Sequence, residues 1–359
     1  MNLRLPTAMA LAMLIASAGC SHSGAPSASA PAAPAANPPA ASAASSAAVQ
    51  APPAAVTGAS GAVAQAPPAA AQAPPAAAPG PGYVIGPKGE PVPEGAPLIV
   101  LSDDLVHIEY HIYGHGEPAV ILIHGWAGSS AYWYAQLDAL KSHYTVVTLD
   151  LGGHGASGRN RSDWSMAHYG GDVAAVAREL PNHQIVLVGH SMGGPVALEA
   201  APRIGSRVIG IIGIDTFRRV GLPPPRPEVV AREIEPFRQN FIGAMRDFVP
   251  KLFRHRADPT LVRKVSDDMS HATAAVAVSS LVSLNAMDYT SVLAAVHVPI
   301  IAIDSDFGEP LDVKRIRKVV PDFKADVLHG DDYFLMLEDP QHLNPLLLRE
   351  IQALAGHSS

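Results

Sequence analysis

One serine stands among neighbours that would make it a nucleophile. Residues 185–194 read Ile-Val-Leu-Val-Gly-His-Ser-Met-Gly-Gly, an apolar run that ends in Gly189-x-Ser191-x-Gly193 and continues as a helical pattern. A strand that turns sharply into a helix leaves no room for side chains beside the turn, so Gly189 and Gly193 relieve the crowding and Ser191 projects from it. The helix that follows starts with unpaired N–H groups, and that of Met192 is positioned to stabilise an oxyanion. The chemistry this pattern serves is attack of a serine hydroxyl on an acyl carbon.

Two further segments belong to the same end of the chain's elements. Val120-Ile-Leu-Ile-His124-Gly125-Trp126-Ala127-Gly128 follows an earlier apolar run, and the backbone N–H of Trp126 is the candidate for the second oxyanion donor. His124 reads as a brace for this loop rather than as a catalytic base. Asp150-Leu-Gly-Gly-His-Gly-Ala-Ser-Gly158 is a tight glycine loop with an architectural role. The other histidines, among them His107 and His111 on one face of a strand, show no helical i, i+4 pairing of the kind that binds a metal.

The elements that must position these residues are short and regular. Leu98 to Leu101 and Val106 to Tyr113, separated by Ser102-Asp103-Asp104, predict an antiparallel opening pair. Ala119–Ile123, Tyr144–Leu149, Gln184–Val188, Val208–Ile214, Pro299–Ile303 and Lys324–Leu328 are continuously apolar or nearly so, as expected for strands covered by helices on both faces. Their alternation with helical patterns predicts an α/β fold with a mostly parallel, doubly wound sheet and ligands at the carboxyl ends of the strands. Between Phe217 and about Tyr289 only helical patterns occur, such as Val229–Phe248 and Val276–Leu284. An insertion of that size after the sixth strand, at about 217–290, predicts a helical cap over the strand ends.

Taken together, the elbow and the two glycine loops resemble the α/β-hydrolase superfamily in its branch with a helical cap, over roughly Leu98 to Leu354. A serine at the elbow sets the chain apart from the haloalkane dehalogenase and epoxide hydrolase branches, whose nucleophile is an aspartate. The resemblance implies an acid after the strand at 299–303, which Asp306 matches; Asp304 is one residue too close to the strand, and Asp215 holds the position some relatives use instead. It also implies a histidine in the loop after 324–328, and here the chain departs from the family. Where the pattern reads Gly-x-Gly-His-Phe and then Glu-x-Pro, this chain has Gly330-Asp-Asp-Tyr333-Phe334 and Glu338-Asp-Pro340, with Tyr333 at the position of the base. A phenol titrating near ~10 does not deprotonate serine at neutral pH as imidazole does. His329, four residues earlier, is the candidate substitute base, and His342 reads as a surface residue of the last helix.

Composition sets the outer limits. Between Arg4 and Lys88 there is no Asp, Glu, Lys or Arg, so the formal net charge of −7 becomes about −8 on the globular part. That acidity, with no Lys/Arg-rich run, argues against nucleic acid as a partner. Residues 1–20 read as an export signal, with Arg4 before an apolar Ala8–Ala18 stretch and Ser17-Ala18-Gly19 before Cys20, which resembles a bacterial lipobox. Lipidated at Cys20 and followed by Ser21, the chain is expected at the periplasmic face of the outer membrane, held there by its N-terminal lipid only; ordinary secretory cleavage is the alternative. Cys20 is the only cysteine, so the mature body has no thiol for disulfides, catalysis or metals. Residues 21–82 form an Ala/Pro-rich linker in which Gln-Ala-Pro-Pro-Ala-Ala recurs at 50–55, 65–70 and 72–77, a semi-stiff spacer without a core. Residues 83–359 are then one α/β domain.

Three readings follow from the sequence. The first is an exported serine hydrolase of small esters or related acyl compounds, with Ser191 as nucleophile, Asp306 as orienting acid, Trp126 and Met192 as oxyanion donors, and neither cofactor nor metal. The second is a binding protein on the same scaffold, impaired in turnover because Tyr333 replaces the histidine. The third is an altered chemistry in which the Tyr333 hydroxyl donates a hydrogen bond to substrate.

Overall fold

The computed structural model describes residues 80–356 other than residue 255; the export signal, Cys20 and almost all of the linker lie outside the described residues. A hairpin of β1 (Tyr83–Ile85) and β2 (Pro91–Pro93) comes first and pairs only with itself. Eight strands then build one sheet: β3 (Leu98–Leu101), β4 (His107–Tyr113), β5 (Ala119–Ile123), β6 (Thr145–Leu149), β7 (Ile185–His190), β8 (Val208–Ile214), β9 (Ile300–Ser305) and β10 (Lys324–Leu328). Their order is β3-β4-β6-β5-β7-β8-β9-β10, antiparallel across β3, β4 and β6 and parallel through the rest. Every residue of β5 and β7 is buried, which requires cover on both faces and accounts for their unbroken apolar sequences. The expected mostly parallel sheet is thus the one that forms.

The register of the central strands decides what meets at their carboxyl ends. Ile123 of β5 lies opposite Gly189 of β7, and His190 of β7 lies opposite Ile214 of β8. The chain therefore leaves these three strands side by side, and residues 124–128, 191 and 215 begin their loops at one edge. Farther along, Ser305 of β9 pairs with Leu328 of β10, so Asp306 and His329 leave the sheet together as well.

Helices α1 (Tyr134–Lys141), α2 (Met166–Glu179) and α3 (Gly193–Ile204) connect the first strands, and α3 starts directly from the elbow. After the sixth strand of the sheet the chain makes the helical cap: α4 (Pro227–Gln239), α5 (Phe241–Phe248), a 3₁₀ turn at Val249–Leu252, α6 (Pro259–Ser270), α7 (Ala274–Ala286) and α8 (Tyr289–Leu293). The run read as one helical pattern over Val229–Phe248 is broken at Asn240. Its extended backbone (φ −149°) ends α4, and its side-chain oxygen accepts from the Gly243 N–H at 3.1 Å, capping α5. Short helices α9 (Val313–Ile316) and α10 (Leu335–Glu338) precede the terminal α11 (Pro340–Gly356). No helix among the described residues is long and apolar enough to cross a membrane.

The cap is fastened to the sheet through aromatic packing. Trp126, from the loop after β5, meets Phe237 of α4 and Phe248 of α5 edge to face at centroid distances of 5.4 and 6.1 Å. Its indole Nε1–H donates to the carbonyl of Ala277 in α7 at 2.8 Å. The loop expected to hold an oxyanion is thereby fixed from above as well as from below.

Candidate active site

Ser191 sits at the turn between β7 and α3 with φ +52°, a left-handed conformation that costs a non-glycine residue roughly 1–3 kcal/mol. Two bonds hold it there: the Ser191 N–H donates to Ile214 O at 2.9 Å, and the Thr216 hydroxyl donates to Ser191 O at 2.9 Å. The flanking glycines are required by space. A Cβ on Gly189 would stand 2.2 Å from Gly193 O, and one on Gly193 would stand 2.4 Å from Ile123 O. Both obstacles are backbone and cannot swing away. Gly193→Ala is therefore expected to lower stability by about 3 kcal/mol and the thermal midpoint by ~8 °C, measured by circular dichroism. An unchanged midpoint would mean that the turn relaxes freely.

The backbone N–H groups of Trp126 and Met192 donate to no described carbonyl and are free to receive an oxyanion. Trp126 and Gly125 line the small cavity that contains Ser191. The cap closes this cavity with Phe248, Leu252 and Met269, and the loop after β10 closes it with Tyr333 and Phe334. About 20 Å³ of it is open to the centre of a water molecule, room for roughly one.

Tyr333, the residue aligned with the expected base, reaches Ser191. The Ser191 hydroxyl and the Tyr333 phenol share a hydrogen bond, although the residues are 142 apart in sequence. Burial pushes the phenol above its ordinary range, and the neighbouring carboxylate Asp215 adds to the rise, against the hydrogen bond from Ser191 and the charge of Arg218. Tyr333 is therefore a neutral hydroxyl throughout the physiological range and activates Ser191 by no permanent charge. Its carbonyl accepts from His190 Nε2–H at 3.0 Å, and the two rings meet at 5.1 Å. Burial drives the His190 imidazole down to about 4, so it too is neutral.

Behind Tyr333 lies a buried cluster that the sequence reading treated only in part. The Asp215 carboxylate accepts from Ser305 N–H at 3.1 Å, Ser305 Oγ–H at 2.8 Å and the Arg218 guanidinium at 2.7 Å. The same guanidinium stands 3.3 Å from Asp304. Two buried carboxylates thus face one cation; burial raises both, and the charge of Asp215 lifts Asp304 further. The charge of Arg218 acts against both rises, so one guanidinium faces two carboxyls that burial makes harder to ionise. Arg218 went unnoticed in the sequence, where its spacing three residues after Asp215 was the available signal.

Asp306 and His329 do not join this arrangement. Because β9 runs on to Ser305, Asp306 starts at the rim of the sheet rather than over its end. There its carboxylate accepts from Gly330 N–H at 2.9 Å and pairs with Arg254 of the cap, and the Gly330 bond is the main reason its pKa is lowered. His329 Nδ1 is 3.3 Å from the same carboxylate, with the side chain 81% exposed. Neither residue lines the cavity or bonds Ser191 or Tyr333. Arg254 also pairs with Asp332 at 3.0 Å, and Phe253 stacks on Phe334 at 5.2 Å, so this cap segment grips the loop that carries Tyr333.

The remaining histidines are structural. His124 donates through Nδ1 to Gly125 O at 2.8 Å and accepts from Leu151 N–H at 3.1 Å, joining the loops after β5 and β6. His342 is exposed and pairs with Asp339 at 2.5 Å. Among the described residues no three His, Cys, Asp or Glu side chains are placed to hold a metal ion.

Comparison with known proteins agrees with this architecture. Residues 118–267 match the family described as alpha/beta hydrolase fold. A 108-residue stretch is 38% identical to the dihydrolipoyllysine-residue acetyltransferase component of the acetoin cleaving system of Cupriavidus necator, covering 30% of this chain and 29% of that one. The AB hydrolase superfamily protein YisY of Bacillus subtilis is 25% identical over 245 residues, 65% of this chain and 91% of its own. A solved thermophilic esterase from Thermogutta terrifontis superposes with a TM-score of 0.63 at 22% identity, over 72% of this chain and 99% of that one. The first curated relatives are matched over less than a third of their own length. The loop after β5, the elbow and the first part of the cap fall inside the family match, and the described residues carry the α/β-hydrolase fold.

Proposed function

We infer that this protein is a slow serine hydrolase of small esters, with Ser191 as acyl acceptor and Tyr333 as a neutral proton bridge in place of histidine. The observation that carries this reading is the Ser191–Tyr333 hydrogen bond inside a cavity flanked by two free amides. In the acylation step Ser191 Oγ bonds the acyl carbon as the bond to the leaving oxygen breaks. The phenol takes the serine proton while passing its own to the leaving oxygen, so Tyr333 ends as it began and no phenolate forms. Trp126 and Met192 N–H groups hold the negative oxygen meanwhile. Water reverses the sequence to release the acid. Hydrolase names among the structural relatives support the reaction class. The export signal, Cys20 and the proline-rich spacer support an envelope protein, lipid-anchored at the outer membrane and facing the periplasm. Its partner is a small acyl compound, and nucleic acid is no part of the reading.

A second reading is favoured by the small cavity and the missing imidazole: a small-ligand binder on the same scaffold, with no turnover. Hydrolysis of p-nitrophenyl acetate and butyrate by the full chain, beside Ser191→Ala, separates the two. The Ser191→Ala variant keeps the two amides and the residual acceleration of roughly 10³-fold over water that such a site supplies, and attack by Ser191 through the phenol bridge is expected to carry the parent at least about tenfold above that background. Equal rates would remove the hydrolase reading and leave the binder.

A further inference from the structure

A second cavity, of about 440 Å³, opens on the other side of the oxyanion loop. Gly128 and Tyr132 line both this cavity and the one around Ser191, so the two adjoin. Its remaining walls are the glycine loop after β6, with His154 and Arg159, and the side of α6 with Lys264, Asp268 and the following His271.

The charges in this cavity do not cancel. Lys264 is matched by Asp268 at 2.6 Å. His271 Nδ1 bonds the Asp267 carbonyl at 2.6 Å. Arg159 has only neutral partners among the described residues: its Nε–H donates to the Thr273 hydroxyl at 3.2 Å and an Nη2–H donates to Gly155 O at 3.1 Å. Those two bonds aim the guanidinium without neutralising it, in a domain whose overall charge is negative. His154 adds an unused acceptor. Its Nδ1–H donates to Gly152 O at 3.1 Å, burial keeps the ring neutral, and Nε2 is buried without a partner. Arg159 is therefore the unmatched charge among the described lining residues, and it calls for a negatively charged group; the buried His154 Nε2, an acceptor, takes no part in holding an anion.

We propose that this cavity binds a carboxylate on the substrate of Ser191, with Arg159 as its counter-charge, so that the preferred substrates are half-esters of small dicarboxylic acids rather than neutral esters. This rests on the reading of Ser191 as acyl acceptor. A substrate lying over Gly128 and Tyr132, which both cavities share, would place its ester at the elbow and its carboxylate at Arg159. Arg159 would act as a specificity-determining residue, remote from the bonds that change.

The test compares mono-4-nitrophenyl succinate with 4-nitrophenyl butyrate, esters of similar length that differ by one carboxylate, on the full chain and on Arg159→Gln and Arg159→Lys. The same samples are scanned for thermal midpoint with and without monomethyl succinate. The expected result is a preference of about tenfold in kcat/KM for the anionic ester, expressed in KM, that falls to about one in Arg159→Gln and is partly restored in Arg159→Lys. A parent with no preference, or a preference that survives Arg159→Gln, would overturn the assignment. If neither ester is turned over but monomethyl succinate raises the midpoint of the parent and not of Arg159→Gln, the anion site stands and the hydrolase reading fails. If there is neither turnover nor protection, both fall.

Discussion

Tyr333→His is expected to raise turnover of p-nitrophenyl butyrate by about a hundredfold, the contribution of a positioned general base. The position is right for it: the phenol already bonds Ser191, and Asp215 acts on Tyr333 from behind, where an imidazolium formed during attack would be stabilised. The gain should carry a signature, a kcat that rises with pH as the imidazole loses its proton near or below its ordinary ~6.5. Burial acts downward on that value, and Asp215 acts upward. Tyr333→Phe is the counterpart, since it keeps the ring contacts with His190 and Phe334 and removes the hydroxyl. It should bring the rate to the Ser191→Ala background. If Tyr333→His shows no gain while Tyr333→Phe matches the parent, the phenol has no part in the chemistry and the proton bridge is wrong.

The second large effect is on stability. Arg218→Met is expected to cost about 3–5 kcal/mol, because it leaves Asp215 and Asp304 facing one another in the interior without their cation. The thermal midpoint should fall by about 10 °C. Its pH dependence separates charge from packing. In the parent, Asp215 is pushed up to about 6 from an unfolded value near 3.8. The folded state therefore binds more protons than the unfolded one between those values, and stability declines as pH rises from about 4 to about 6. Without Arg218 both carboxyls rise further, so the decline continues to higher pH. The deficit of the variant should be small near pH 4 and largest at neutral pH. A deficit that is the same at every pH would assign Arg218 to packing alone.

Much of the frame was legible because it is local. Continuous apolar runs identify β5, β7 and β8, since strands buried on both faces tolerate nothing else. The elbow was legible because the contacts that forbid side chains at 189 and 193 lie within a few residues or on an adjacent strand. The hairpin β1–β2 was hidden by Pro91 and Pro93, which argue against a strand in general and are tolerated in this two-stranded ribbon. The cap blurred for a related reason. Helical periodicity runs through Asn240, and only its capping bond with Gly243 shows that the chain turns there. Helix α6 was passed over, although Asp258 before Pro259 is an N-terminal signal, and the Asp258 carboxylate accepts from Thr260 N–H at 2.8 Å.

By itself the sequence pointed to a serine on a tight turn, offered two candidate amides beside it and showed Tyr333 where the pattern it resembles has histidine. Each follows from residue type and from sterics along a short segment. What only the tertiary structure decided was which groups serve that serine. The meeting of Ser191 with Tyr333, the capture of Asp306 by Arg254 and the sharing of Arg218 between Asp215 and Asp304 all join segments whose approach is set by strand register and loop length.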